Sequence, residues 1–107
     1  MQQLTPRELS DWLSDKTRTA PLVLDIREGW EVNLCKIDGC RHIAMQSMPA
    51  HLGELDAGAP VVVYCHHGMR SMRVAGYLEQ HGFKQVYNLR GGIAAWAHDV
   101  ARDMPQY

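Results

Sequence analysis

Two short, mostly apolar runs constrain this chain most: Leu22-Val23-Leu24-Asp25-Ile26 and Val61-Val62-Val63-Tyr64-Cys65. Neither alternates apolar with polar, so each reads as a strand covered on both faces, the condition of a parallel sheet packed between helices. Val86-Tyr87-Asn88-Leu89 is a further strand. Helical stretches separate these runs. Thr5-Pro6-Arg7-Glu8 is a capping-box start, with Leu9, Trp12 and Leu13 on one apolar face and a stop expected near Asp15 or Lys16. Glu28 to Leu34 is predicted as a short helix with Trp30 and Leu34 turned inward. Asp38-Gly39 signals a turn, Arg41 to Ile43 a brief strand, and Met45 to Leu55 a loop with a short helix opening at Pro49. Ser71 to Leu78 reads as a helix buried through Val74 and Leu78, closed by Gly82 with Phe83 as the apolar contact behind it. Gly91-Gly92 turns into a last helix, Ile93 to Ala97. Arg102 to Tyr107 is expected to be weakly ordered unless Tyr107 docks. Strands alternating with helices mean right-handed βαβ units and an α/β fold, whose reactive site lies beyond the carboxyl ends of the strands.

The 107 residues suit one domain, taken as 1–107, with one continuous core. A formal net charge of −1 argues against a nucleic-acid partner, which calls for a basic excess. No apolar run approaches the ~20 residues of a membrane span, and Met1-Gln2-Gln3-Leu4 lacks the basic and apolar regions of a secretory signal. Three cysteines are an odd number and do not look like a disulfide framework, so a reduced, cytoplasmic setting is expected. No membrane partner is implied, and the chain is expected to be a monomer.

The second run delivers Cys65 to a loop, His66-His67-Gly68-Met69-Arg70-Ser71, with a helix start just behind it. Loop amides and the positive helix end favour a thiolate in such a place, so Cys65 is the candidate nucleophile. Arg70 is placed to bind an anion, while His66 and His67 are read as shaping the loop more than moving protons. Asp25 interrupts its apolar run, and a buried carboxylate held by hydrogen bonds or by Arg27 is favoured over a catalytic role. Cys35, Cys40 and His42 have no spacing suited to zinc, and no metal is expected. Turn-filling is favoured for both cysteines over resolving an oxidised Cys65.

These residues carry a family likeness. Leu22 to Glu28 with Trp30-Glu31, Val62 to Ser71, Gly82-Phe83, Val86 to Leu89 and Gly91-Gly92-Ile93-Ala94-Ala95-Trp96 together resemble the single-domain rhodaneses, the thiosulfate and persulfide sulfurtransferases. The resemblance implies a central, mainly parallel sheet of about five strands with helices on both faces. It implies that Cys65 carries sulfur as a persulfide, with no other cofactor. Residues 66 to 71 would then bind a small anionic sulfur donor, and a thiol protein could be the acceptor. One departure is clear: where the family has a Gly-His-Ile-Pro-Gly-Ala type segment, this chain reads Cys35-Lys36-Ile37-Asp38-Gly39-Cys40. Phosphatases of a related fold are the alternative enzyme reading. They carry one residue more between cysteine and arginine than the four, His66 to Met69, present here. A sulfur carrier or interaction module of low turnover is the alternative from another class.

Overall fold

The computed structural model describes residues 1–107. Five strands form one sheet, β1 (Gln2–Leu4), β2 (Leu22–Asp25), β3 (Arg41–His42), β4 (Val61–Tyr64) and β5 (Val86–Leu89). Their order across the sheet is β1-β5-β4-β2-β3 and every pairing is parallel. The helices are α1 (Pro6–Ser14), α2 (Gly29–Leu34), α3 (Met48–His51), α4 (Met69–Gln80) and α5 (Gly92–Asp99). Short 3-10 turns at Met45–Ser47 and Leu52–Glu54 flank α3, so the 45–55 stretch is more helical than its sequence suggests.

The two cores follow from the period of two along a strand. Val61, Val63 and the following Cys65 point to the side covered by α4 and α3, where Val74, Leu78, Phe83 and Met48 pack. Val62 and Tyr64 point to the other side, against Leu9 and Trp12 of α1 and Ile93 and Trp96 of α5. Each residue of β4 is buried because both faces are covered, which is why the run is continuous rather than alternating.

The expected ends are largely found. Thr5 caps α1 through its side chain, Glu8 returns the bond to the Thr5 amide, and Asp15 closes the helix. Gly82 adopts φ 90° after α4, and the Phe83 amide donates to the Leu78 carbonyl at 3.1 Å. Two expectations are corrected. Leu13 is exposed rather than part of the α1 core face. Trp30 and Leu34 point outward, 62% and 47% exposed, because α2 turns Glu31 to the interior instead. The chain opens with a strand outside those expectations: β1 is a mostly polar three-residue edge strand with no apolar run to announce it.

Asp25 has the structural role expected. Its carboxylate accepts from the Arg27 guanidinium at 2.7 and 3.0 Å and from the Tyr64 hydroxyl at 2.6 Å, and all three residues are fully buried. Burial opposes the Arg27 charge, but the bonds to Asp25 and Tyr107 outweigh it and raise its pKa. Burial, then Asp25, raises the Tyr64 hydroxyl's pKa. Breaking a buried pair leaves an uncompensated charge. Asp25→Ala should therefore cost about 3–5 kcal/mol of folding stability in a urea titration.

Candidate active site

Cys65 follows directly on β4, at the carboxyl end of the middle of the sheet. Its side chain is 1% exposed. Three groups converge on the sulfur. The Gly68 amide donates to Sγ at 3.1 Å, the Ser71 amide does so at 3.4 Å, and the Ser71 hydroxyl lies at 3.3 Å. Ser71 is in the first turn of α4, so one of these donors comes from a helix start. This is a cradle for a negatively charged sulfur.

A polar chain behind the sulfur fixes that cradle. The Ser71 hydroxyl donates to Asn88 Oδ1 at 2.5 Å, and the Asn88 amide donates to the Gly68 carbonyl and to Gln3 Oε1. With its proton on Asn88, Ser71 can only accept from a Cys65 thiol; to serve a thiolate the hydroxyl must turn toward Sγ. Sequence reading did not single out Asn88 or Gln3. The available signal was one polar residue inside the apolar run of β5.

The loop is also held from the far side. The Ile93 and Ala94 amides, at the start of α5, donate to the carbonyls of Cys65 and His66 at 2.9 and 3.0 Å. Gly92 sits at φ 61° directly against that backbone, and a Cβ there would lie 2.4 Å from the His66 carbonyl oxygen and 2.5 Å from that of Cys65. Gly68 takes φ 100° to turn the loop into α4.

The remaining loop residues are less unified than the sequence suggests. Met69 projects into solvent, 74% exposed. His66 stacks on His67 with ring centroids 3.9 Å apart and on Tyr107 at 3.8 Å. Burial, then the neighbouring His67, holds the His66 pKa below the ordinary imidazole value. Arg70 does not lie open over the sulfur. It lies in the first turn of α4 and donates through both terminal nitrogens to Glu31, at 2.8 Å each. These bonds, against burial, raise its pKa further.

Glu31 is a further site residue that sequence reading passed over. Arg70, against the cost of burial, holds its carboxyl at about 2, helped by the Glu28 amide and by Tyr107. The Tyr107 hydroxyl donates to Glu31 at 2.7 Å and accepts from Arg27 at 2.8 Å. Tyr107 thus docks, and the tail is anchored. Its ring also meets Trp30 edge-on, with centroids 5.9 Å apart. Burial pushes the Tyr107 hydroxyl up to about 12. Cys35 and Cys40 pack on the α1 and α5 side of the sheet, whereas Cys65 belongs to the α4 side.

Comparison with known proteins identifies the family. Residues 5–99 match the model of the rhodanese-like domain. The chain belongs to that family. It is 39% identical over 74 residues to a thiosulfate sulfurtransferase GlpE of Shewanella oneidensis, covering 69% of this chain and 73% of that one. It is 34% identical over 106 residues to a probable adenylyltransferase/sulfurtransferase MoeZ of Mycobacterium tuberculosis. That match covers 97% of the chain but spans only 26% of the relative's length. The crystal structure of a rhodanese-like domain protein from Staphylococcus aureus superposes with a TM-score of 0.82 at 28% identity, covering 90% of this chain and 91% of the other. The rhodanese-like domain thus occurs as nearly the whole of some relatives and as a fraction of others. No helix in this chain is long and apolar enough to cross a membrane.

Two outcomes follow from the geometry. Gly92→Ala combines a left-handed backbone with a backbone clash, and should cost at least about 2 kcal/mol, lowering the melting temperature by roughly 8–16 °C. Glu31 has a carboxyl pKa below its unfolded value, so its contribution to stability is present above about 4.5 and is lost as pH falls toward about 2. Chemical denaturation across that window should show a shallower loss of stability for Glu31→Gln than for the wild type.

Proposed function

We propose that this rhodanese-like chain is a sulfurtransferase that carries a sulfane sulfur on Cys65. The observation behind this reading is the sulfur cradle itself. A buried cysteine at the end of the central strand accepts two backbone amides and faces a serine hydroxyl. Relatives named as sulfurtransferases support it.

The reaction is a covalent, two-step transfer. The Cys65 thiolate attacks the outer sulfur of the donor. A bond forms between the two sulfurs while the donor's own bond to that sulfur breaks, and the electron pair leaves with the donor fragment. Thiosulfate would leave sulfite; an organic persulfide would leave its parent thiolate. The acceptor, cyanide or a thiol, then attacks the outer sulfur of the Cys65 persulfide and restores the thiolate. The amides of Gly68 and Ser71 stabilise the charge on Sγ whenever it is the leaving group, an arrangement prepared before the reaction begins.

Incubation with a sulfane donor should add the mass of one sulfur to the intact protein, and cyanide should remove it as thiocyanate. Cys65→Ser should show neither event. A Cys65→Ser protein that still forms thiocyanate would sink the mechanism, and Cys65-dependent hydrolysis of an aryl phosphate without sulfur loading would favour a phosphatase. Loading without release until a thiol protein is added would mark a sulfur carrier.

A further inference from the structure

Thiosulfate is a dianion, and a site that favours it needs positive charge that is not already spent. The arginine of the cysteine loop has already spent its charge. Arg70 gives both terminal nitrogens to Glu31, whose side chain is 4% exposed. The Tyr107 hydroxyl and the Glu28 amide hold the same carboxylate in place. The Cys65 sulfur is close enough to add to the field on Arg70, so the arginine lies within electrostatic reach of the reaction while its charge is cancelled. Arg27 is no substitute. It is fully buried, and Asp25, the carbonyls of Glu31 and Cys35, and the Tyr107 hydroxyl accept from it. His66 is held below the ordinary imidazole value by burial, then by His67, and adds little charge at neutral pH.

We propose that Glu31 is a specificity-determining residue: by neutralising Arg70 it turns the Cys65 site toward organic persulfide donors and away from thiosulfate. The inference rests on the reading of Cys65 as a sulfur carrier. In the favoured step the Cys65 thiolate attacks the outer sulfur of R–S–SH. The inner S–S bond breaks, its electron pair leaves as the thiolate R–S⁻, and the proton stays on the outer sulfur, now bonded to Cys65. Charge is conserved, and no sulfonate has to approach the thiolate. With thiosulfate the leaving group is sulfite, and two negative charges must be brought against a third. The amide dipoles of Gly68 and Ser71 face that repulsion without a free charge from Arg70.

The test is single-turnover loading of sulfur onto Cys65, followed by intact mass at neutral pH and low salt, with thiosulfate and with cysteine persulfide as donors. Glu31→Gln keeps the shape and the acceptor for Tyr107 but frees the charge of Arg70. It should speed loading from thiosulfate by about tenfold while changing loading from cysteine persulfide less than twofold. The gain should shrink as salt is raised and vanish when Arg70→Ala is added. Glu31→Asp, which keeps the charge but shortens its reach, should give a smaller gain and serves if the glutamine variant folds poorly. Unchanged or slower thiosulfate loading in Glu31→Gln, or an equal gain with both donors, would overturn the proposal. A second readout separates the two readings. In a Cys65→Ser background, where no sulfur moves, Glu31→Gln should bind sulfite more tightly by calorimetry. Tighter sulfite binding together with no loading of the wild type from either donor would refute sulfur transfer while sustaining the charge role of Glu31. Equal sulfite binding would refute that role.

Discussion

The two hydrogen bonds from the start of α5 to the carbonyls of Cys65 and His66 are what the site depends on. A loop that aims its amides inward at a sulfur must turn its carbonyls outward, and those carbonyls need donors. The free N–H groups of a helix start supply them. The two chains can approach that closely only where one of them has no side chain. Gly92 meets the requirement, and Gly68 on the other side of the loop lets the backbone turn into α4. The cysteine loop and the Gly91-Gly92-Ile93 segment are therefore one device, although nineteen residues, 72 to 90, separate them.

A second layer sets the charge. Asp25 and Arg27 form a buried pair beneath the sheet end, and Glu31 and Arg70 form another at the mouth. Tyr107 joins them with one hydroxyl, accepting from Arg27 and donating to Glu31. Arg27 and Arg70 thus each have a carboxylate partner, and the groups that touch the sulfur are oriented dipoles. Such a setting suits the proposed sulfur transfer, in which Cys65 is nucleophile in one step and leaving group in the next. A strong permanent cation would favour one of those states over the other.

Much of this was legible in the chain. The continuous apolar runs at 22–26 and 61–65 gave the parallel sheet, because only a strand covered on both faces needs no polar side. The capping box at Thr5 and the glycine at position 82 placed helix ends correctly, since those signals are local. The short helix at 29–34 shows where such reading stops. Trp30 and Leu34 look like its buried residues by hydropathy, yet Glu31 is buried because Arg70, far along the chain, is there to pair with it. Hydropathy cannot see a partner that arrives by tertiary folding. The polar strand β1 escaped notice for the same reason, as its place is decided by β5 and by Asn88.

The sequence by itself determined the alternation of strands and helices, the placement of Cys65 at a strand end and the family to which the loop belongs. The first two follow from periodicity and from residue types that act on their immediate neighbours, the family from the resemblance of its motifs. Only the tertiary structure decided what Arg70 does. A sequence shows that a cation follows the cysteine; it does not show whether that charge is free. Coulomb interactions and hydrogen bonds depend on distance in space, and the carboxylate within 2.8 Å of Arg70 comes from a helix 39 residues earlier.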